Sequence, residues 1–273
     1  MSIARFVKRL APPVLLDVFH RNQSRSPRTG RVWEGIYAHY RDVPTSGHGF
    51  NGDVWINKTY AYTQSVLASA KKYGTIPTGV AGEHMLLPLL AAAVCREAGG
   101  KVRILDFGGG MGIAYVHLLS SLVNCGSIDY HIVESEGVCE RGARLFEHDE
   151  RIHFSAQLPV GLADLDILYM SSALQYVEDY PSLLKALSAF QARYFLFAKL
   201  SAGDFPTYAT AQKNVPGTTL AYWFINAQEI IEIMAAGGYS LIYKSALEQQ
   251  YDQSNFPEKY RMGQTCNLLF SRN

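Results

Sequence analysis

Residues 102–112, Val-Arg-Ile-Leu-Asp-Phe-Gly-Gly-Gly-Met-Gly, read as a short buried strand that ends near Asp106 and runs into a turn with glycine at 108, 110 and 112. The apolar pair Ile104 and Leu105 suits the centre of a parallel sheet, and the glycines let the backbone bend and lie against a flat ligand. Ile113 to Leu122 then carries the apolar spacing of a helix. The turn therefore stands at a helix N-terminus, where unpaired N–H groups favour an anionic group. A dinucleotide fingerprint, G-x-G-x-x-G, is excluded, because its last glycine would fall on Ile113 or Tyr115.

A second apolar run, Tyr130 to Val133, ends in Glu134. In a parallel sheet both strand ends lie on one edge, so Asp106 and Glu134 are expected to flank a single crevice. A carboxylate placed there can accept charge-assisted hydrogen bonds from the two adjacent hydroxyls of a ribose. Arg151 to Phe154 reads as a third strand, followed by a turn through Ser155, Ala156, Gln157 and Leu158. Asp166 to Met170 is a fourth, leading through Ser171 and Ser172 to Gln175 and Tyr176. Glu178, Asp179 and Pro181 open a helix with acids in its first turn, as the helix dipole prefers. Tyr194 to Leu200 is a fifth strand, Ala227 to Ala236 a helix stopped by Gly237-Gly238, and Tyr239–Lys244 and Thr265–Ser271 the closing strands.

The spacing Asp106-x-Gly108-x-Gly110-x-Gly112 resembles the glycine turn of class I S-adenosylmethionine (SAM) methyltransferases. The resemblance implies an α/β, Rossmann-like seven-stranded sheet with helices on both faces and an antiparallel final strand, with SAM as cofactor and S-adenosylhomocysteine as product. It places Asp106, Phe107, Gly108, Gly109, Gly110, Met111 and Gly112 along the methionine part of SAM and makes Glu134 the ribose-binding acid. Ser171 and Ser172 join the cofactor set, and Gln175 and Tyr176 face the transferring methyl. Family members often meet the adenine amino group with an Asp after the third strand. No acid stands here, so either the Gln157 amide does this or backbone and apolar contacts hold the base.

A narrower resemblance is to methyltransferases encoded among genes for bacterial surface polysaccharides such as O-antigen and capsule. It is carried by Trp33-Glu34-Gly35, the glycine turn, Val133-Glu134, Ser171-Ser172-x-Leu174-Gln175-Tyr176, Gln212-Lys213-Asn214-Val215-Pro216 and Tyr222-Trp223-Phe224. It departs at Lys199-Leu200-Ser201, where the group has an Arg-Thr-Pro-like segment. The implied acceptor is a sugar hydroxyl in glycan biosynthesis, with Gln175, Tyr176, Tyr222 and Trp223 as substrate residues. A sugar hydroxyl is a poor nucleophile that needs a base as the bond forms, and His48, Tyr176 and Asp204 are the candidates by location, with His84 behind them.

At 273 residues, 48% hydrophobic and 18% charged, the chain can bury a full core. Its four Cys, at 95, 125, 139 and 266, form no C-x-x-C, so reduced thiols in a cytoplasmic protein are expected. Its eight His lack H-x-x-x-H and H-E-x-x-H spacing, and no metal site is expected. Nucleic acid is excluded as partner, since no Asn-Pro-Pro-Tyr-like motif follows the fourth strand and the body is acidic.

That acidity is hidden by the net charge of +1. Residues 1–31 hold seven of the 25 Lys and Arg (Arg5, Lys8, Arg9, Arg21, Arg25, Arg28, Arg31) against Asp17 alone, a charge of +6 that leaves the body at −5. Apolar residues alternate with these charges, no run is long enough to span a bilayer, and no small-residue cleavage site follows. Two readings stay open for this amphipathic extension: docking on an anionic inner-membrane face, or packing on the body or a partner subunit. Residues 32–80 are expected to form a helical lid and substrate region over the SAM pocket. They carry Trp33, Tyr37, His48, Phe50 and Trp55 ahead of a helix from about Thr59 to Tyr73; ring faces near a sulfonium are favourable. Residues 81–273 form the SAM-binding domain, entered by a helix from Gly82 to Ala98 with Glu83 and His84 at its start. A different class of function remains in view: a SAM-fold protein without turnover that serves as partner in a membrane-associated glycan assembly complex.

Overall fold

The computed structural model describes residues 32–74, 85–123, 125–215, 217–247 and 252–273. The basic extension 1–31 and the pair Glu83 and His84 lie outside the described residues. Chain order runs β1 (Trp33–Tyr37), α1 (Asp53–Tyr73), α2 (Leu86–Glu97), β2 (Lys101–Phe107), α3 (Ile113–Ser121), β3 (Ser127–Val133), α4 (Glu136–Leu145) and β4 (Ile152–Ser155). It continues with β5 (Ile167–Ser171), α5 (Tyr180–Ser188), β6 (Tyr194–Leu200), β7 (Ala202–Gly203), β8 (Tyr208–Val215) and β9 (Thr218–Asn226). The chain ends with α6 (Ala227–Ala236), β10 (Tyr239–Leu247) and β11 (Thr265–Arg272).

Seven strands form the main sheet in the order β10-β11-β6-β5-β2-β3-β4. The pairs β2/β3, β3/β4, β2/β5 and β5/β6 are parallel, and β11 runs antiparallel to both β6 and β10. This is the expected α/β Rossmann-like sheet with its antiparallel last strand. Alternation along each strand divides the apolar residues between two faces. Ile104, Tyr130, Ile132 and Tyr169 pack on one face with Leu87, Val94, Ala114 and Leu118 of α2 and α3. Leu105, Leu168, Phe195 and Phe197 pack on the other with Leu184, Leu187, Ile230 and Met234 of α5 and α6. Side-chain caps start those last two helices: Asp179 Oδ1 accepts from Ser182 N at 3.1 Å, and Asn226 Oδ1 from Gln228 N at 2.8 Å.

A second, four-stranded sheet, β1-β8-β9-β7, is inserted between β6 and α6 and takes in β1 from the start of the described chain. The helical character expected of residues 32–80 therefore holds for α1, which begins six residues before Thr59, but not for Trp33–Tyr37. Those residues are a strand because β8 offers its edge, with Trp33 opposite Gln212 and Tyr37 opposite Ala209. The crossover from β4 to β5, residues 156–166, contains no helix. No described helix is long and apolar enough to cross a membrane.

The thiol expectation is corrected. Cys95 and Cys125 form a disulfide, and only Cys139 and Cys266 are free thiols. The end of α2 turns directly into β2, and β3 enters beside it with Ser127 opposite Lys101, which brings the two Cα atoms within 6.0 Å. The pairing withdraws cysteine usage as an argument for a reducing compartment.

Candidate active site at the carboxyl ends of the strands

Asp106 and Glu134 stand at the ends of the adjacent central strands, β2 and β3, and the turn between β2 and α3 passes beside them. Gly108 N donates to Val133 O at 2.9 Å, which ties the turn to the end of β3. Gly108 has φ +71°, and a Cβ there would stand 2.5 Å from that of Ala173, so only glycine fits. Gly110, at φ +56°, is the opposite case: a Cβ would meet nothing within 4 Å. Its Cα thus faces open space, where a flat ligand can lie directly on backbone.

Asp106 is fully buried. Its Oδ2 accepts from the Tyr130 hydroxyl at 2.7 Å, while Oδ1 has no hydrogen-bond partner. Burial, aided by the nearby Glu134 charge, pushes its carboxyl up to about 7 against the opposing Tyr130 hydrogen bond. Glu134 is half-buried, with its carboxylate bonded by Ser135 N at 2.8 Å and by the Gly110 N–H. Burial raises its carboxyl above the usual range and these two backbone donors hold it down. An orphaned buried acceptor, a half-buried acid and a bare glycine surface meet along one crevice.

Beside Glu134 opens a cavity of about 380 Å³, lined by Thr45 to Asn51, Ser135, Thr219 and Leu220 as well as Glu134 itself. It falls within the size range of small-molecule sites. A larger cleft of about 880 Å³ is lined by Asp164, Asp166, Arg193 and Arg272. It lies at the amino-terminal edge of β5 and β6, away from the strand ends where ligands bind in open α/β sheets.

Aromatic rings join the cavity to the second sheet. Phe50 meets Trp55 at 5.0 Å and Tyr176 edge-on at 4.7 Å; Tyr176 meets Tyr222 at 5.0 Å, and Tyr222 meets Trp33 at 5.8 Å. The structure therefore brings Tyr176 and Tyr222 together. Trp223, next to Tyr222 on β9, points to the other face: it packs on Tyr40 and Tyr180 and donates from Nε1 to Glu178 O at 3.2 Å. Neighbours in a strand cannot both line one pocket.

Among the remaining expected residues, His48 lines the cavity with Glu134 and is exposed. The Tyr176 hydroxyl donates to Gln212 Oε1 at 2.9 Å. Asp204 is exposed in the turn after β7. Gln175 is buried, donating from Nε2 to Ser172 Oγ at 3.0 Å with its Oε1 unpartnered. Ser172 and Lys199, on either side of it, hold left-handed backbone at φ 53° and φ 52°, conformations that non-glycine residues keep only under local constraint. Ser171 ends β5 half-buried, and Phe107 packs against the α5/α6 side of the core. Met111 is buried against Ile56 and Val138, so its side chain fastens α1 to the turn and only its backbone can meet a ligand. Gln157 is exposed, its backbone folded onto the Ser155 hydroxyl.

Sequence reasoning passed over Tyr40, whose hydroxyl donates to Tyr176 O at 2.8 Å and is also 2.9 Å from Ala221 O, clamping the segment after β5 to β9. No periodicity marks it. It also passed over a grouping of Asp129, His131 and His153 on β3 and β4, described further below. Asp-x-His places two ligand types on one face of a strand, but their approach to His153 follows from strand register, which the sequence does not display.

No protein-family model and no curated protein matches the chain. Solved structures do resemble it. A 1,6-didemethyltoxoflavin-N1-methyltransferase from Burkholderia thailandensis, 17% identical, covers 79% of this chain and 89% of its own with a TM-score of 0.47. A magnesium protoporphyrin IX methyltransferase from Synechocystis PCC 6803, 13% identical, covers 80% and 99% with a TM-score of 0.48. An amino pentose methyltransferase from Micromonospora echinaspora, 12% identical, covers 70% and 91% with a TM-score of 0.46.

Proposed function

We propose that the chain is a SAM-dependent methyltransferase that methylates a sugar hydroxyl. The observation that carries the reading is the pairing of Asp106 and Glu134 at adjacent strand ends beside a glycine turn whose middle residue, Gly110, faces open space. These residues fit the cofactor: Glu134 would hold the ribose hydroxyls, the turn would carry the methionine part, and the free Oδ1 of Asp106 would accept from a donor the ligand brings. When bound, SAM supplies a methyl group already activated by a positive sulfur.

What the protein adds is alignment and exclusion of water. Phe50, Trp55, Tyr176 and Tyr222 form an aromatic wall next to the cavity, suited to a cation and to the apolar faces of a sugar ring. His48 shares the cavity with Glu134 and takes the part of general base. Tyr176 suits that part less, because its proton is committed to Gln212. Tyr222, bonded to Ser201 Oγ at 2.5 Å, braces the wall at the position where the sequence departs from its polysaccharide-cluster resemblance.

Calorimetry with S-adenosylhomocysteine tests the cofactor reading. Wild type should bind in the micromolar range, and Glu134→Ala should lose about 1–3 kcal/mol through removal of a charged acceptor. Equal affinities would take Glu134 out of the ribose role. Incubation with SAM and nucleotide-activated sugars, read by mass spectrometry, tests the acceptor. Binding without transfer to any of them would favour the non-catalytic partner role instead.

A further inference from the structure

We infer that Asp129, His131 and His153 form a binding site for a divalent transition cation of the zinc type, on the sheet face turned away from α2, α3 and α4. The site does not depend on the ligand assigned to the strand ends.

The argument starts from strand alternation. Ile128, Tyr130 and Ile132 point into the apolar cluster beneath α2 and α3, so Asp129 and His131 point to the opposite face, two residues apart and adjacent along it. In the parallel β3/β4 pair, His131 stands directly opposite His153. Their rings stack with centroids 4.7 Å apart, and both Nε2 atoms turn toward the same carboxylate oxygen. His131 Nε2 is 2.7 Å from Asp129 Oδ1, and His153 Nε2 is 3.4 Å from it. One ligand atom from each of the three residues falls within 4.8 Å of the others. Ligands held about 2.0–2.1 Å from a tetrahedral zinc stand roughly 3.3 Å apart, so small side-chain rotations bring this trio to coordination distance.

Two features favour a cation over a simple hydrogen-bonded cluster. First, the buried His131 Nε2 stands 2.7 Å from Oδ1 but out of line for a well-formed N–H···O bond, so the pair is close without being locked to each other. Second, Arg103, directly across on β2, donates from Nε to Asp129 Oδ2 at 2.7 Å and from Nη1 to Ala163 O at 2.6 Å. That outer contact fixes the carboxylate and leaves Oδ1 for coordination, as the second shell of a metal site does.

Access is open. The β4–β5 crossover lacks a helix on this face, and the His153 side chain keeps 51% of its exposure. Water can therefore complete the coordination shell. The Arg103 charge opposes a dication, so the site binds more weakly than a buried thiolate site. Bound there, the cation would staple the edge strand β4 to β3 where no crossover helix covers them.

The test is calorimetric titration of Zn²⁺ into the full-length protein, together with its thermal melting. Wild type should bind one ion and melt at a higher temperature with zinc than with a chelator. His153→Ala, at an exposed position that leaves folding intact, should lose affinity by roughly 100-fold and abolish the melting shift; Asp129→Asn should do likewise. His148→Ala, an exposed histidine outside the group, should bind as wild type does. Absence of wild-type binding, unchanged affinity in His153→Ala, or loss in His148→Ala overturns the proposal.

Discussion

Replacing Asp106 by Asn should flatten the dependence of stability on pH across the neutral range. Asp106 is buried with its carboxyl pushed up to about 7 from an ordinary 3.8. A carboxyl raised by folding contributes fully below its unfolded value, and that contribution is lost as pH rises through the folded value. The window therefore runs from about pH 4 to about pH 7. At ~1.4 kcal/mol per pH unit, the difference between 3.8 and about 7 amounts to about 4 kcal/mol. Other groups move differently. Burial raises Glu134 as well, so it adds to the slope, whereas the depressed His131 gains stability with rising pH. Asp149, held down to about 2 by Arg151, is lost only in stronger acid. Subtracting the variant's profile from the wild type's isolates Asp106. The assay is urea unfolding of both proteins, without ligand, at steps between pH 4.5 and pH 8 as roughly chosen to bracket that window. Wild type should lose stability relative to Asp106→Asn as pH rises, approaching the full difference above neutrality. Parallel profiles would refute the reasoning and show that Asp106 is ionised at no cost, with an unrecognised donor on Oδ1.

Two glycine substitutions should separate packing from binding. Gly108→Ala, with its new methyl 2.5 Å from Ala173 and φ +71°, should destabilise by about 1–3 kcal/mol in thermal or chemical unfolding. Gly110→Ala, strained in φ but facing open space, should cost only about 1 kcal/mol in stability, yet weaken S-adenosylhomocysteine binding measured by calorimetry. Mass spectrometry after alkylation of the denatured, unreduced protein should find two reactive thiols, Cys139 and Cys266. The Cys95→Ala, Cys125→Ala double variant should lose about 3–4 kcal/mol, the loop-entropy value for a closure of this length.

The parallel core was legible because its strands are short apolar runs punctuated by turns and capped helices. β6 and α6 fall where the pattern predicts, and β2 to β5 differ from it by a few residues at their ends. The second sheet was not. Tyr208–Val215 and Thr218–Asn226 lack clear period-two polarity, since one face packs on the main core and the other carries aromatics of the site. β1 has no partner within 170 residues of it, and pairing at that distance leaves no local mark. The crevice itself was readable from Asp106, the glycines and Glu134 because backbone geometry dictates residue type there. The pocket wall was readable only as a set of aromatics: which of Tyr222 and Trp223 faces the cavity depends on the register of β9. The disulfide and the histidine grouping were hidden for the same reason: the register of β3 on β2 brings Cys125 to Cys95 at the end of α2, and its register on β4 brings His131 to His153.

The pairing of β1 with β8 carries a consequence for biosynthesis. As the polypeptide leaves the ribosome, Trp33–Tyr37 emerges long before the strand that receives it, and Tyr176 appears before the Gln212 that accepts its proton. A nascent chain halted before residue 208 holds β2 to β6 but lacks Thr219 and Leu220, which line the cavity beside Glu134. That cavity is thus completed late in translation, when the β8–β9 hairpin arrives to pair with Trp33–Tyr37.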